Sequence, residues 1–235
     1  MTYKQSAAYY DAIYSFKDYA KESDVLHNLI QTRKRSAGNR LLEVACGTGA
    51  HLIHLKNHYQ VEALDLSPEM LDVARVKIPN GTFHQGDMRT FDLSSRFDAV
   101  VCLFSSIGYM QTPSDLQASV ANMMRHLVPG GVLIVEPWFT PDAFHPGTLH
   151  GGMMVDTPDL KICRMNVSTV QDRVSIMDMH HMVATPAGIE HFVERHAMGL
   201  FTHAEYMRAF MATMLSTGYV PDGLDGRGLY IGKLI

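Results

Sequence analysis

The segment Glu43–Gly49, with the sequence EVACGTG, is the feature that most constrains the fold. It ends a short apolar run at Arg40–Ala45, which is typical of a buried strand, and it precedes a helical stretch at 50–57. Gly47 and Gly49 permit a tight turn and let a ligand lie against the backbone. Free N–H groups at a helix N-terminus also favour polar ligands. The segment therefore predicts a strand–turn–helix unit with a ligand site at the turn.

Strands and helices alternate from this turn to about residue 138. Ser67, Pro68 and Glu69 are a typical helix start, with Ser as the N-cap and Pro in the first turn. Parallel strands need helical crossovers, so this alternation predicts an α/β fold with a doubly wound, mostly parallel sheet. The predicted strands are Arg40–Ala45, Gln60–Leu66, Thr82–Gln85, Phe97–Phe104 and Val132–Glu136, Pro129–Gly131 is a predicted turn, and Ser114–His126 is a further helix.

The pattern changes after Trp138 from helix-sized units to strands and turns. Apolar and polar residues roughly alternate in Ser175–Val183, as in a strand with one buried face. We predict an antiparallel β insertion at about Phe144–Phe201, lying over the sheet edge. A last helix at Thr202–Ser216 and a closing strand at Leu229–Leu234 follow it.

The first 36 residues form the other region that lies outside the alternating pattern. Tyrosines and aliphatic residues recur there at helical spacing, which predicts two helices between Ser6 and about Ser36. The predicted organisation is therefore a main domain at 1–143 and 202–235, whose residues 1–36 are helical, and an insertion at 144–201.

The usual nucleotide motifs are not met. Gly47 and Gly49 fit the first two positions of G-x-G-x-x-G, but Leu52 occupies the third, and no Walker lysine follows. Asp65 closes the second predicted strand, at the distance where an acidic side chain accepts from ribose hydroxyls. Asp87 follows the third strand, at a rim that can read an adenine edge. Each aspartate taken alone could instead be a helix cap or a turn residue, but both at these strand ends favour a nucleoside site.

Five segments in this order resemble the class I S-adenosylmethionine-dependent methyltransferases: EVACGTG, LDLSPEML, HQGDMRTF, FDAVVCLFSSIGYM and LVPGGVLIVEPW. The resemblance implies a seven-stranded sheet, S-adenosylmethionine as the methyl donor and S-adenosylhomocysteine as the product. The donor's cationic sulfonium suits a rim that carries carboxylates. The implied cofactor contacts are Tyr14 and Tyr19 in the N-terminal lid, Glu43, Ala45, Gly47 and Gly49 at the turn, Asp65 and Leu66 at the ribose, Met70, Asp87 and Met88 at the adenine, and Phe104 and Ser105 at the methyl group.

Two of these residues keep a second interpretation. Glu43 either contacts the cofactor or ties down neighbouring backbone amides. Tyr14 either contacts the cofactor or packs within the lid. Cys46, in the same turn, is interpreted as a small packing residue, because no helper base is adjacent to it.

Further segments resemble a narrower family, the N,N-dimethyltransferases that act on nucleotide-linked amino sugars of the desosamine and mycaminose type. They are YYDAIY, FKDYAKES, VEPWFTPDAF, LFTHAEYMRAF and GRGLYIG, and with the cofactor segments they cover nearly the whole chain. The resemblance implies in-line transfer of methyl groups to the amine of a deoxyamino sugar linked to a nucleotide such as TDP. The alternative is a methyltransferase for another small-molecule amine, hydroxyl or carboxylate.

This resemblance also implies substrate contacts. Tyr109 is the candidate to orient the amine or relay its proton, or else it is an aromatic wall of the pocket. Arg227 lies between two glycines, where a guanidinium can hold a diphosphate by a bidentate contact, or else it is a surface arginine of a hairpin. The remaining substrate candidates are Tyr3, Ser106 and Trp138, which is either a pocket wall or a core residue.

Composition excludes several other functions. The net charge of −4 argues against a dedicated nucleic-acid binder. The longest apolar runs are too short for a membrane span, and three widely spaced cysteines suit no disulfide framework, which predicts a cytoplasmic protein without membrane or nucleic-acid partners. The 13 histidines have no ligand spacing, so no metal is expected. The insertion leaves a sheet edge, from which we expect a homodimer.

Overall fold

The structure is a computed structural model that describes residues 3–213 and 216–234. Within these residues the main sheet has seven strands in the order β10-β11-β5-β4-β1-β2-β3. Neighbouring strands from β3 to β5 pair in parallel, whereas β11 runs antiparallel to β5 and β10 antiparallel to β11. The mostly parallel seven-stranded sheet is thus confirmed. Its strands are β1 (Arg40–Val44), β2 (Gln60–Asp65), β3 (Thr82–Gln85), β4 (Phe97–Cys102), β5 (Leu127–Val135), β10 (Ser216–Val220) and β11 (Leu229–Lys233).

Helices cover both faces of this sheet, and their starts follow the capping rules. The Ser67 and Thr112 side chains each accept a backbone N–H in the first turn of the helix that follows, and Thr202 and Glu205 form a capping box. The helices are α1 (Tyr10–Ile13), α2 (Tyr19–Arg33), α3 (Leu52–Leu55), α4 (Pro68–Lys77), α5 (Pro113–Arg125) and α6 (His203–Met211), with 3-10 helices at Ser6–Tyr9 and Ser106–Tyr109.

A second, antiparallel sheet of four strands in the order β6-β7-β8-β9 stands beside the main one within the described residues. It contacts the main sheet's region through β9 on the 3-10 helix Ser106–Tyr109 and through β6 on α1. The insertion therefore packs beside the carboxyl ends of the parallel strands, rather than over the sheet edge as the sequence predicts. Its strands are β6 (Leu149–Asp156), β7 (Lys161–Gln171), β8 (Val174–Thr185) and β9 (Gly188–Gly199).

The structure differs from several sequence predictions of local structure. The predicted helix at 50–57 is only the single turn of α3, and the N-terminal region holds a 3-10 helix and α1 where one helix was expected. The predicted turn at Pro129–Gly131 lies inside β5, where the register against β4 shifts and Gly130 has φ +77°. A side chain at Gly130 would collide with the backbone of Ser36, which explains the glycine.

The last predicted helix also ends early. α6 stops at Met211, and Ser216, placed at the end of that helix by the sequence, begins β10. Residues 214 and 215 of the predicted helix lie outside the described residues. The helical spacing of THAEYMRAFMATMLS is realised over its first part, whereas pairing with β11 decides the conformation from Ser216 onward.

Candidate active site

The first cavity, of about 410 Å³, opens at the carboxyl ends of β1, β2 and β3 and beside the residues that follow β4. In a parallel sheet these ends carry the loops that bind ligands. Most cofactor candidates line it: Tyr19, Glu43, Ala45, Gly47, Asp65, Leu66, Met70, Asp87, Met88 and Phe104. Two substrate candidates, Ser106 and Tyr109, line it as well, and Tyr3 closes it from the N-terminal segment.

The glycine turn is held by an aspartate. Gly47 has φ +55° and faces open space, and its N–H donates to Oδ2 of Asp65 at 2.7 Å. The other oxygen of Asp65 accepts from the Ser67 N–H at 2.9 Å. Burial raises the pKa of Asp65, although these backbone donors act in the opposite direction. The turn and the carboxylate thus form one rigid rim, with free lone pairs for ligand hydroxyls.

A buried charged network lies behind this rim. His51 Nε2 lies 2.8 Å from Glu22 and its Nδ1 lies 3.4 Å from Glu43, while Lys17 lies 2.6 Å from Glu22. Burial alone would lower the pKa of His51, but the hydrogen bonds to Glu22 and Glu43 outweigh it and raise the pKa to about 9. Tyr19 packs edge-on against the His51 ring. The lid is therefore tied to the cofactor cavity by charge as well as by packing.

The residues present fit S-adenosylmethionine. Oε2 of Glu43 is buried and has no hydrogen-bond partner within residues 3–213 and 216–234, so it suits a cationic group of a ligand. Gly47 leaves room where any side chain would fill the cavity. At the far end, Met70 is buried and Leu66 is exposed, which gives an apolar slot of the kind that suits a flat adenine.

Asp87 has a partner that the sequence did not indicate. Arg89 donates hydrogen bonds to both oxygens of Asp87, with Nη2 at 2.6 Å from Oδ2, and its Nη1 lies 3.2 Å from Asp115 Oδ1. The hydrogen bond from Arg89 lowers the pKa of Asp87. The carboxylate is therefore ionised and fixed in place at the rim, as an acceptor for an amino group must be.

A second cavity, of about 490 Å³, lies between the main sheet and the antiparallel sheet. Trp138 and Arg227 line it. Tyr3, Phe104 and Tyr109 line both this cavity and the first one. The Trp138 indole donates to Ser175 Oγ at 2.9 Å, which fixes the ring as a wall. The cations Lys17, Arg164 and Arg227 face this space, together with the carboxylate of Asp225, which pairs with Arg227 and lies 3.6 Å from Lys17.

Phe104 separates the two cavities, and two cations lie over its ring. Lys17 lies 4.4 Å and Arg227 5.7 Å from its ring centre. Phe104 has φ +50°, a strained value for a residue with a side chain, and Glu136 accepts its N–H at 2.5 Å. Glu136 also accepts from Arg227 at 3.3 Å. Burial raises the pKa of Glu136 to about 7, against the pull of Arg227.

Three hydroxyl and ring groups meet at the boundary of the cavities. The Tyr3 hydroxyl lies 2.6 Å from that of Tyr109, which lies 2.7 Å from Nδ1 of His196. Burial raises the pKa of both tyrosines, so neither is an anion at neutral pH. Glu194 accepts the N–H groups of Gln5 and Ser6 and thereby holds the segment that carries Tyr3.

The structure places three cofactor candidates elsewhere. Gly49 packs its backbone against Ala74 of α4 and does not line the first cavity. Ser105 is buried and donates to the Pro137 carbonyl at 2.7 Å, so its hydroxyl supports the loop after β4. Tyr14 lines the second cavity and accepts from Arg164 at 2.8 Å. Cys46 is buried as expected, but it also lines the first cavity.

The sequence did not indicate four residues whose roles depend on contacts between distant segments. Lys17, His51, Glu136 and His196 come from four distant segments, and their roles depend on packing between the lid, the two sheets and the loop after β5. The charged side chains in FKDYAKES, and Glu136 at the end of a buried strand, were the available signals. His196 lies in the insertion, where the sequence carries no motif.

The described residues show neither a metal site nor a membrane-spanning helix. Among them no group of three or more His, Cys, Asp and Glu side chains is placed to hold a metal ion. In the same part of the chain no helix is long and apolar enough to cross a membrane.

Comparison with known proteins agrees with this geometry. A methyltransferase domain family matches residues 41–131. The dTDP-3-amino-3,4,6-trideoxy-alpha-D-glucopyranose N,N-dimethyltransferase of Streptomyces venezuelae is 42% identical over 92% of this chain and 91% of its own. The dTDP-4-amino-2,3,4,6-tetradeoxy-D-glucose N,N-dimethyltransferase of Saccharopolyspora spinosa is 40% identical over 95% and 90%.

A solved structure is similar along its full length. S-adenosylmethionine-bound CalS10, an amino pentose methyltransferase from Micromonospora echinaspora, has a TM-score of 0.86 and 38% identity, covering 100% of this chain and 98% of its own. The sheet order and the turn at Gly47 define a class I S-adenosylmethionine-dependent methyltransferase. Within that class, the chain belongs to the family of dTDP-amino-sugar N,N-dimethyltransferases.

Proposed function

We propose that this enzyme transfers two methyl groups in succession from S-adenosylmethionine to the amine of a dTDP-linked deoxyamino sugar. The observation that carries this proposal is the pair of cavities that meet at Tyr3, Phe104 and Tyr109. One cavity has the carboxylates and apolar slot that fit the methyl donor. The other has cations and aromatic walls that suit a diphosphate and its sugar.

The cofactor is held at several points along the first cavity. Asp65 takes the ribose hydroxyls, Glu43 faces a cationic part of the methionine, and Asp87 accepts the adenine amino group. Ala45 and Gly47 lie against the methionine and ribose, while Leu66, Met70 and Met88 enclose the base. S-adenosylmethionine supplies an electrophilic methyl group on a cationic sulfur. Tyr19 and Tyr3 exclude water from this cavity on the lid side.

The acceptor occupies the second cavity. Arg227, which contacts Glu136 and Asp225 in this structure, binds the diphosphate with its guanidinium. Lys17, which is buried and pairs with Glu22, adds a second positive charge to this side of the cavity. Trp138 forms a wall for the sugar. Tyr109 and Ser106, at the opening into the first cavity, orient the amine toward the methyl group.

The chemistry requires alignment more than a strong base. A neutral amine attacks the methyl carbon in line with the departing sulfur, so holding the two groups in contact lowers the barrier. Tyr109 keeps its proton at neutral pH because burial raises its pKa. Its hydroxyl therefore acts as a hydrogen-bonding group toward the amine.

The enzyme also forms a homodimer in this proposal, through the outer face of the antiparallel sheet. That face exposes several apolar side chains, and the opposite face lines the second cavity. The exposed residues are Leu149, Met154, Met165, Val167, Met182, Ile189 and Val193. The insertion at 144–201 thus serves both substrate and dimer contacts.

Cysteine usage agrees with a reducing compartment. The three cysteines are free, and Cys46 and Cys102 are buried. We infer from this that the enzyme works in the cytoplasm.

Calorimetry tests the two-cavity account directly. The protein is titrated with S-adenosylhomocysteine and then, once saturated, with dTDP. Binding of both ligands, each at its own single site, supports a nucleotide-linked acceptor. Binding of the first without the second keeps the methyltransferase and refutes the nucleotide-linked acceptor.

A further inference from the structure

His196 lies beside the residue that faces the amine, but it comes from the antiparallel insertion. It is 4% exposed, it belongs to β9, and its Nδ1 lies 2.7 Å from the Tyr109 hydroxyl. The Tyr3 ring packs edge-on against it at 5.0 Å. His196 is therefore the group of the second sheet that reaches the junction of the cavities.

Proton counting sets the direction of these hydrogen bonds. The Tyr109 hydroxyl has one proton to donate and two close neighbours, the Tyr3 hydroxyl and the Nδ1 of His196. If Nδ1 is bare, Tyr109 donates to it, and Tyr3 then donates to Tyr109. One lone pair of the Tyr109 oxygen remains for a substrate N–H. If Nδ1 carries the proton, it donates to Tyr109, and the Tyr109 proton then turns to the Tyr3 oxygen or to the amine nitrogen, whose lone pair must stay free for methyl transfer.

The surroundings keep this imidazole neutral. Burial lowers the pKa of His196 to about 4, although Glu194 acts in the opposite direction. Arg164, on β7, also opposes a positive charge there. A neutral ring has one bare nitrogen, which can accept a hydrogen bond from the Tyr109 hydroxyl.

We propose that His196 is a positioning residue: its bare Nδ1 accepts a hydrogen bond from the Tyr109 hydroxyl, which keeps the Tyr109 proton away from the sugar amine and leaves the Tyr109 oxygen as an acceptor for an amine N–H. This inference rests on the proposed function for the identity of the amine. It does not rest on it for the hydrogen bond between the two side chains.

Nitrogen NMR of the histidine-labelled enzyme, saturated with S-adenosylhomocysteine, tests the hydrogen bond without any acceptor substrate. We expect His196 Nδ1 to give the signal of an unprotonated nitrogen, and Tyr109→Phe to shift it. A protonated Nδ1 overturns the proposal. So does a signal that Tyr109→Phe leaves in place.

Kinetics test the role in the reaction, using the dTDP-amino sugar that the wild-type enzyme methylates. His196→Leu, which removes the acceptor, lowers kcat about tenfold and leaves the KM for S-adenosylmethionine unchanged. His196→Asn, whose amide oxygen can take the place of Nδ1, restores kcat to within about threefold. In the Tyr109→Phe background, His196→Leu causes no further loss, because it acts through that hydroxyl.

A matched control separates this role from general packing. His181 is buried on the same face of the sheet and both of its ring nitrogens lack a hydrogen-bond partner among the described residues, so His181→Leu keeps kcat. Equal losses in His196→Leu and His196→Asn, or a full tenfold loss in the Tyr109→Phe background, contradict the proposal. If His196→Leu does not fold, His196→Asn and the NMR signal still decide. A wild-type enzyme that methylates none of these sugars refutes the proposed function, and the NMR outcome then stands alone.

Discussion

Arg227 Nη2 lies 3.3 Å from Oε1 of Glu136, the buried carboxylate that also accepts the N–H of Phe104 at 2.5 Å. The Glu136 side chain thus fixes both the guanidinium that faces the second cavity and the strained backbone of Phe104 between the two cavities. Glu136 thus connects the loop between the two cavities to a residue 91 positions further along the chain.

Replacement of Arg227 tests the diphosphate contact. We expect Arg227→Ala to raise the KM for the dTDP-amino sugar by roughly 10–100-fold, because a charge-assisted bidentate contact is lost. Arg227→Lys keeps the charge without the fork and should show a smaller rise. Affinity for S-adenosylhomocysteine should stay the same in both variants, as calorimetry can check.

Arg75→Ala is the control for this change, because Arg75 is exposed on α4 and lines neither cavity. Thermal unfolding must accompany the kinetics, since Arg227→Ala leaves Glu136 buried without its cation. An unchanged KM in a folded Arg227→Ala enzyme would show that Arg227 does not bind the diphosphate.

Asp65→Asn tests the ribose contact and the turn together. The amide offers one acceptor where the carboxylate serves Gly47 and Ser67 on separate oxygens. We expect the Kd for S-adenosylhomocysteine to rise about 10–100-fold, the effect of losing one hydrogen bond to a charged group. Asp72→Asn, exposed on α4, should bind as the wild type does. Equal affinities in the two variants would show that Asp65 does not hold the cofactor.

The fold and most of the cofactor cavity could be predicted from the sequence, because local signals determine them. Gly47 needs its turn, Ser67 and Pro68 start a helix, and Asp65 ends a strand, so their positions follow from the chain itself. Ser105 and Gly49 could not be assigned from the sequence. Each lies next to or near a residue that lines the first cavity, but each packs elsewhere, because the direction in which a residue faces depends on tertiary packing. His196 reaches Tyr109 only because β9 packs on the helix Ser106–Tyr109, and no sequence pattern encodes that contact.

The charge of His51 predicts a pH dependence of stability. Its pKa of about 9 in the folded protein lies above the 6.5 of a free imidazole, so the folded state binds the proton more tightly. The resulting stabilisation is complete below pH 6.5 and is lost as the pH rises through 9. Its upper limit is about 3 kcal/mol.

Urea unfolding between pH 6 and 9.5 measures this effect. The free energy of unfolding of the wild type should fall over that range, and His51→Gln should flatten the fall. The raised pKa of Glu136, about 7, makes the stability of both proteins fall between pH 4.5 and 7, so the difference between wild type and His51→Gln is read above pH 7. Parallel curves for wild type and His51→Gln would contradict a charged His51.

The outer face of the antiparallel sheet predicts an assembly. Met182 is 55% exposed in the middle of that face, and Met182→Glu should convert a dimer into a monomer in light scattering, because a buried unpaired carboxylate is costly. Val76→Glu is the control, since Val76 is 80% exposed on α4. A wild-type monomer at the same concentration would rule out the dimer.

The proposed activity is tested by the mass of the product that the purified enzyme forms from S-adenosylmethionine and dTDP-linked 3-amino and 4-amino deoxysugars. We predict that one of these sugars gains first one and then two methyl groups, with one equivalent of S-adenosylhomocysteine for each. Failure to methylate either sugar, by a protein that still binds S-adenosylhomocysteine, would contradict the central claim.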